Sequence, residues 1–456
     1  ERLLPQMFSN EGPGIVSGDL NGDGVEDFFF GGAKNQASEI WLSNASNNTH
    51  KKTNEKLLQT DAVSEDTEAL FLDVDGDSDL DIYIGSGGKA FSKFSFNLHD
   101  RIYINDGQGH FSKQVAPTFK RPLSTGALAK LDVNKDGRID LFVGERYRVE
   151  TYGLDGNGHI LLNEGGGNFK ITNPIPFQNL GMITDAKAID LNKDGWEDLI
   201  VVGEWMGVRV FLNERGNFKE ATEAYGLQKT SGIWSSLLVK DLNEDGFTDL
   251  VIGNTGTNSF YKAHMKLYVG DYDLNGSMEQ IYTQEFQGKD YPIVDKDELT
   301  KQIPSLKKDF LYYKDYAKAS FEDIFKNKNI QNQTVKTLDI TESSIFWGSK
   351  DGFKREAFAA EIQYSNVSAI LTEDVNKDGY PDVILGGNQS RVKPQFGATE
   401  SSMGWLLINK KNGIFESPRS LEIKGEIRDF SILKEKNKSF LIIGINNDSI
   451  QIKKLH

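Results

Sequence analysis

Short apolar runs of about five residues alternate along this chain with short polar, glycine-containing stretches. Ala186-Lys-Ala-Ile189 and Ser236-Leu-Leu-Val239 each lead into a polar loop, whereas Leu199-Ile-Val-Val-Gly203 and Val383-Ile-Leu-Gly386 each follow one and end in glycine. A third and a fourth run come after a turn, as in Ile160-Leu-Leu-Asn163 then Asn168-Phe-Lys, or Val208-Arg-Val-Phe-Leu-Asn213 then Asn217-Phe-Lys. Runs this short, rich in β-branched and aromatic side chains and punctuated by Gly and Asn, predict strands. Four such strands fill a unit of about fifty residues, the make-up of one β-propeller blade.

The polar loop between the first two strands has a fixed form. It occurs as Asp19-x-Asn21-x-Asp23-Gly-x-x-Asp27, Asp73-x-Asp75-x-Asp77-Ser-x-x-Asp81 and Asp132-x-Asn134-x-Asp136-Gly-x-x-Asp140. It occurs again as Asp190-x-Asn192-x-Asp194-Gly-x-x-Asp198, Asp241-x-Asn243-x-Asp245-Gly-x-x-Asp249 and Asp374-x-Asn376-x-Asp378-Gly-x-x-Asp382. Successive starts of the first five lie 54, 59, 58 and 51 residues apart. Oxygen side chains at every second position of a tight turn suit a hard cation such as Ca²⁺, which takes six to eight oxygens. An EF-hand would need Glu at the twelfth position and helical flanks; here the twelfth position is Val143 and both flanks read as strand. The expectation is about six bound Ca²⁺ ions, each in a β-hairpin. The second loop departs from the pattern with Ser78 in place of glycine and an added Asp79. A weaker copy follows at Asp271, Asp273, Asn275 and Glu279.

Two places break the period. From Asp241 to Asp374 is 133 residues, and strand signatures of the interrupted unit resume at Ser344-Ile-Phe-Trp-Gly348. Residues 254–340 therefore read as an insertion in the fifth blade, partly helical, with Leu306, Phe310, Tyr313 and Ala317 on one helix face and Ser320-x-x-Asp323 as a helix start. At the C-terminus, Ile427–Leu433, Ser439–Gly444 and Ser449–Leu455 give three strands of a seventh blade whose loop has decayed to Lys434-Glu-Lys-Asn-Lys438. Residues 2–9 are expected to supply its missing strand and close the ring. The expected architecture is a single all-β unit over 1–456, a seven-bladed propeller, or an eight-bladed one if the insertion holds a blade.

Composition narrows the function. The absence of cysteine excludes disulfides, thiolate metal sites and a Cys nucleophile. No apolar run reaches the ~18 residues of a membrane span, and no signal peptide is visible, so a chain beginning at Glu1 reads as a mature form or a fragment. The net charge of −15 argues against nucleic acid as a partner, and six divalent ions would reduce it to about −3.

These repeats resemble the FG-GAP/VCBS family, whose repeats also build integrin α-subunit propellers. Gly203-Glu-Trp205-Met, Ser231-Gly-Ile-Trp234-Ser, Gly253-Asn-Thr-Gly-Thr-Asn-Ser259 and Asp297-Glu-Leu-x-x-Gln302-x-Pro304-x-Leu-Lys-Lys308 resemble bacterial VCBS proteins related to cartilage acidic protein, common at the surface of Bacteroidota. No ASPIC/UnbV segment, often coupled to them, is recognisable. The resemblance implies calcium at the first, third, fifth and ninth loop positions, and an extracellular or outer-membrane-surface module that binds other molecules.

In a propeller, loops between the first and second strands lie on one face and loops between the second and third on the other. The Asp loops therefore share one rim. Glu145, Arg146, Glu204, Trp205, Asn254 and Asn388 are expected to converge on the opposite rim, near the axis and the insertion. This face is the expected site for a protein partner or a glycan. A carbohydrate-active enzyme is the alternative, with Glu145 and Glu204 as its carboxylate pair. Trp41, Trp347 and Trp405 occupy matching third strands and are expected to pack between blades, and Trp196 to lie exposed on its loop. The six histidines show no ligand spacing, and no HExxH, GxSxG or phosphate loop occurs.

Overall fold

The computed structural model describes residues 3–7, 12, 14–44, 49–326, 330, 332–435 and 438–455. Eight antiparallel sheets form within them. In seven sheets the leading strand is Ile15–Gly18, Asp66–Leu72, Thr125–Leu131, Met182–Ile189, Ser236–Lys240, Ala369–Glu373 or Ile427–Glu435. Each leads a meander in which successive strands pair. These seven strands touch their neighbours in turn and the last touches the first, so they ring a central channel.

Burial follows position in the sheet. Asp198–Met206, a second strand, is buried along its whole length, because neighbouring sheets cover both its faces. Lys354–Ala357, an outermost strand, is exposed throughout. The core lies between sheets. Phe142, Phe177 and Phe211, from the third sheet, the following loop and the fourth sheet, meet edge to face at 5.4 and 4.9 Å. Trp41, Trp347 and Trp405 are half-buried and pack against inter-sheet clusters.

The fifth sheet is split. Ser236–Lys240 and Asp249–Gly253 pair with Ser344–Trp347 and Lys354–Ala357, and the chain between them builds a sheet of its own. That sheet contains Lys266–Gly270, Glu279–Phe286, Lys289–Pro292 and Thr334–Thr337, covered by the short helices Lys296–Gln302 and Phe321–Phe325. Ser320 caps the second helix reciprocally with Asp323.

Two sequence expectations need correction. The helix face through Leu306, Phe310, Tyr313 and Ala317 does not form. Pro304–Lys307 is a 3₁₀ turn, and the next helix, Tyr313–Tyr316, is a single turn. Tyr316 is the buried ring, fixed by donating its hydroxyl to the Val294 carbonyl at 2.8 Å, while Tyr313 is 55% exposed. Nor does the N-terminal segment join the last sheet, which has three strands among the described residues. Residues 2, 8 and 9 lie outside them. Gln6 bridges Val392, and Leu3 and Leu4 are buried in the insertion's apolar clusters, which outcompete an exposed sheet edge for two leucines. The ring closes through side chains instead. Asp429 accepts the Ile15 N–H at 2.7 Å, Ser431 meets Ser17 at 2.9 Å, and Ile15, Phe28, Leu433 and Ile442 share one cluster.

Candidate metal loops and axial pocket

Each Asp loop is wound around its own carboxylates. The first Asp accepts N–H groups from the middle of the loop, as Asp132 does from Asp136 and Gly137 at 3.1 and 3.0 Å. The third residue accepts from the fifth, and the fifth from the seventh, as in Asn134 to Asp136 at 2.9 Å and Asp136 to Arg138 at 2.9 Å. Ser78 occupies the sixth position of the second loop at φ 77, so it takes the left-handed turn that glycine takes in the other loops. Trp196 is not loose on its loop: the Lys135 ammonium of the preceding loop lies 4.4 Å above its ring.

The ninth carboxylate does a different job. Its Oδ2 accepts the N–H of the second loop residue, for example Leu20 to Asp27, Val133 to Asp140 and Leu191 to Asp198 at 2.8–3.0 Å. Its Oδ1 accepts an N–H from the end of the third strand or just beyond it: Ser43, Asn105, Asn163, Asn213, Gly348 or Asn409 at 2.6–2.8 Å. The four asparagines then reach backwards. Asn105, Asn163, Asn213 and Asn409 donate their amides to the carbonyls of Leu20, Val74, Val133 and Leu242, each in the Asp loop of the preceding sheet. Loop, strand and neighbouring blade are thereby linked through one buried carboxylate. Burial pushes Asp27, Asp140, Asp198 and Asp249 up to about 6 and Asp81 up to about 7, against the N–H groups that hold them, and nearby loop carboxylates add to the rise.

The donor set fits a hard divalent cation. The carboxylates of Asp73, Asp75 and Asp81 offer oxygens within 4.8 Å of one another, and so do those of Asp271, Asp273 and Glu279 in the insertion. Asp75 Oδ1, Asp241 Oδ1 and Asp273 Oδ1 are buried with no hydrogen-bond partner among the described residues, which is costly for a carboxylate unless a cation compensates it. The copy in the insertion, despite Asn275 and Glu279, gathers its carboxylates as closely as the second loop does.

At the other end of the channel lies a pocket of about 180 Å³. Of the residues expected there, it brings together Arg146 and Glu204. Arg146 pairs with Glu204 at 2.9 Å, and the Tyr152 hydroxyl donates to the second Glu204 oxygen at 2.6 Å. Glu145 points elsewhere. It is fully buried, and Arg121 takes both its oxygens at 2.6 Å, so the Glu145–Glu204 pair of the enzyme reading is not assembled in the pocket. Trp205, at φ 56, is buried against Tyr261 and Tyr282 of the insertion and serves as its anchor. Asn254 and Asn388 brace backbone: Asn254 accepts the Ile233 N–H and donates to the Ile340 carbonyl, and Asn388 donates to Ser402 and Gly425.

Glu68, Gln389, Arg428 and Tyr261 line the pocket and were not anticipated. For Glu68 and Arg428 a signal exists: Thr67-Glu68, Thr184-Asp185 and Arg428-Asp429 are polar pairs at equivalent points of the inner strands. Below the pocket the Lys187 ammonium binds Asp185 at 2.7 Å, and Glu68 and Asp429 add to the field that keeps it charged.

A family profile, described as FG-GAP-like repeat, matches residues 19–84, 73–143, 132–201 and 190–252. A probable aminopeptidase 2 of Sulfurisphaera tokodaii is 30% identical over 131 residues, 29% of this chain and 15% of that protein. Integrin alpha-6 of Gallus gallus is 30% identical over 115 residues, 23% of this chain and 10% of that protein. The chain thus spans a small part of the length of either relative. Among solved structures, the V. cholerae biofilm matrix protein Bap1 aligns with TM-score 0.40 and 14% identity over 98% of this chain and 88% of that one. The Dos1 propeller aligns with TM-score 0.44 and 12% identity over 100% and 96%.

Proposed function

Since this chain belongs to the FG-GAP-like repeat family, we propose that it is a calcium-stabilised binding module, working outside the cell or on a bacterial outer-membrane surface. Its working surface is the face carrying the axial pocket and the insertion, and its partner is a surface protein or glycan. The observation that carries this reading is the division between the two ends of the channel. At one end the Asp-loop side chains accept N–H groups of their own hairpins, and the third-strand asparagines tie loops to the next sheet. At the other, charged and hydroxyl side chains from several sheets converge on a concave mouth, the usual setting of a ligand site.

In each loop the side chains at the first, third, fifth and ninth positions would hold Ca²⁺; the ion would neutralise carboxylates that are otherwise buried at a cost. The third-strand asparagines then transmit a rigid loop to the preceding sheet. Extracellular calcium sites typically bind at about 10⁻⁴–10⁻³ M, which fits saturation outside a cell.

The test is capture. Purified protein is incubated with native cell-surface extract in calcium and the retained material compared with that of an Arg146→Met/Glu204→Gln variant, whose fold is checked by circular dichroism. Loss of the retained species with the folded variant is expected. Equal capture by both would move the working surface away from the axial face.

A further inference from the structure

We infer that the axial pocket receives the terminal residue of a neutral glycan. This rests on the axial face being the working face and narrows its ligand to one chemical class.

Backbone irregularity builds the mouth. The leading strands of the second, third, fourth and seventh sheets slip register by one residue, at Thr67, Gly126, Thr184 and Arg428. All four bulged residues line the pocket. A bulge re-aims a side chain at the expense of ladder pairing, and four at one level of a ring fit a shaped site better than four separate irregularities.

Four of the hydroxyl hydrogens at this level are already committed. Thr67 donates to the Thr125 carbonyl at 2.7 Å, Thr184 to Trp234 at 2.9 Å, Ser235 to Val367 at 2.5 Å and Ser368 to Ile427 at 2.7 Å. Each of these bonds reaches the next leading strand or the segment just before it, so the hydroxyls stitch the ring. At Gly126 a Cβ would lie 2.3 Å from the Ile183 carbonyl, which leaves no room for a side chain. A hydroxyl whose hydrogen is spent offers lone pairs, so these groups meet a ligand as acceptors.

Charge selects among donor-bearing ligands. Among the described residues the charged lining is Glu68, Glu204, Arg146 and Arg428, which sum to zero. A cation would meet two guanidiniums, and an anion would meet two carboxylates and the hydroxyl lone pairs. A neutral polyol satisfies both sets: its O–H groups donate to the Ser, Thr and Glu oxygens, and its oxygens accept from arginine. The volume of about 180 Å³ is the room of about six waters, on the scale of one sugar ring. Deeper in, the Lys187 ammonium is held by Asp185 within the field of Glu68 and Asp429, from the fourth, second and seventh sheets. A saccharide threading through the ring would have to break that cluster. A chain end need not.

The experiment is saturation-transfer NMR on the full chain in calcium, with a mixture of methyl glycosides of glucose, galactose, mannose, fucose, xylose and N-acetylglucosamine. Lysine methylamide and methyl glucuronide serve as the cationic and anionic probes. At least one neutral glycoside is expected to bind in preference to both charged probes. Its affinity should fall about tenfold in the isosteric Glu68→Gln variant, as for loss of one hydrogen bond to a charged group, and vanish in Gln389→Trp, which fills the mouth. No neutral binder, preference for a charged probe, or binding unchanged in both folded variants overturns the inference. If surface capture still depends on Arg146 and Glu204 while no glycoside binds, the axial-face reading stands and the glycan inference alone falls.

Discussion

At the scale of single residues, the third-strand asparagines matter more than their plain chemistry suggests. Asn213 accepts the Gly216 N–H at 2.7 Å, donates its own N–H to Asp198 at 2.8 Å and reaches the Val133 carbonyl of the preceding sheet at 3.0 Å. Asn213→Ala leaves that carbonyl and the Gly216 N–H without the side-chain partner, both at a buried joint. It should lower stability by about 1–3 kcal/mol, read as a lower urea midpoint, whereas the exposed Asn217→Ala should change it little. The asparagines stand at the ends of third-strand phrases such as Ile160-Leu-Leu-Asn163, so their positions were legible. That their amides cross to another sheet was not, because no local pattern encodes a ring. The same limit explains Glu145. Its neighbour Arg146 lines the axial pocket, but one residue earlier, at the strand's end, Glu145 turns to Arg121.

At the scale of elements, the repeated hairpins were readable because loop and strand periods recur, and the unrepeated segments were not. A four-residue spacing of apolar side chains around Leu306 suggested a helix, but Pro304 and the burial of Tyr316 divide the segment into short turns. Residues 2–9 were assigned by topology alone, and two buried leucines took the described part of the segment to the insertion. The closing joint consequently depends on Asp429 and its bond to Ile15. Burial pushes the Asp429 carboxyl up to about 6, with Asp185 adding to the rise and the Ile15 and Phe430 N–H groups and Lys187 opposing it. The folded protein therefore binds this proton more tightly than the unfolded chain does. The ionised carboxylate costs stability above pH 6, and the cost disappears as pH falls through 6 toward about 4. Asp429→Asn keeps an acceptor for Ile15 and removes the charge. Its melting temperature should exceed that of the wild type at about pH 7 and converge with it at about pH 4. A difference that does not vary with pH would contradict this assignment.

At the scale of the whole molecule, seven sheets with leading strands in a closed ring present two unlike ends. The rim of Asp loops concentrates negative charge and fastens each hairpin. The opposite mouth gathers balanced charge, hydroxyls and the one large insertion. The make-up of the mouth was not legible in the sequence, since residues such as Thr67 and Arg428 acquire their direction from bulges that only paired strands display. The proposed function holds that calcium at the loop rim stiffens the ring that carries this mouth. The most direct test is thermal unfolding of one preparation in excess EDTA, then after calcium or magnesium is added back at equal concentration. A fall in melting temperature in EDTA that calcium restores, and magnesium restores less because it demands a smaller octahedral cage, is the expected result. Coincident unfolding curves in EDTA and in calcium would contradict the account.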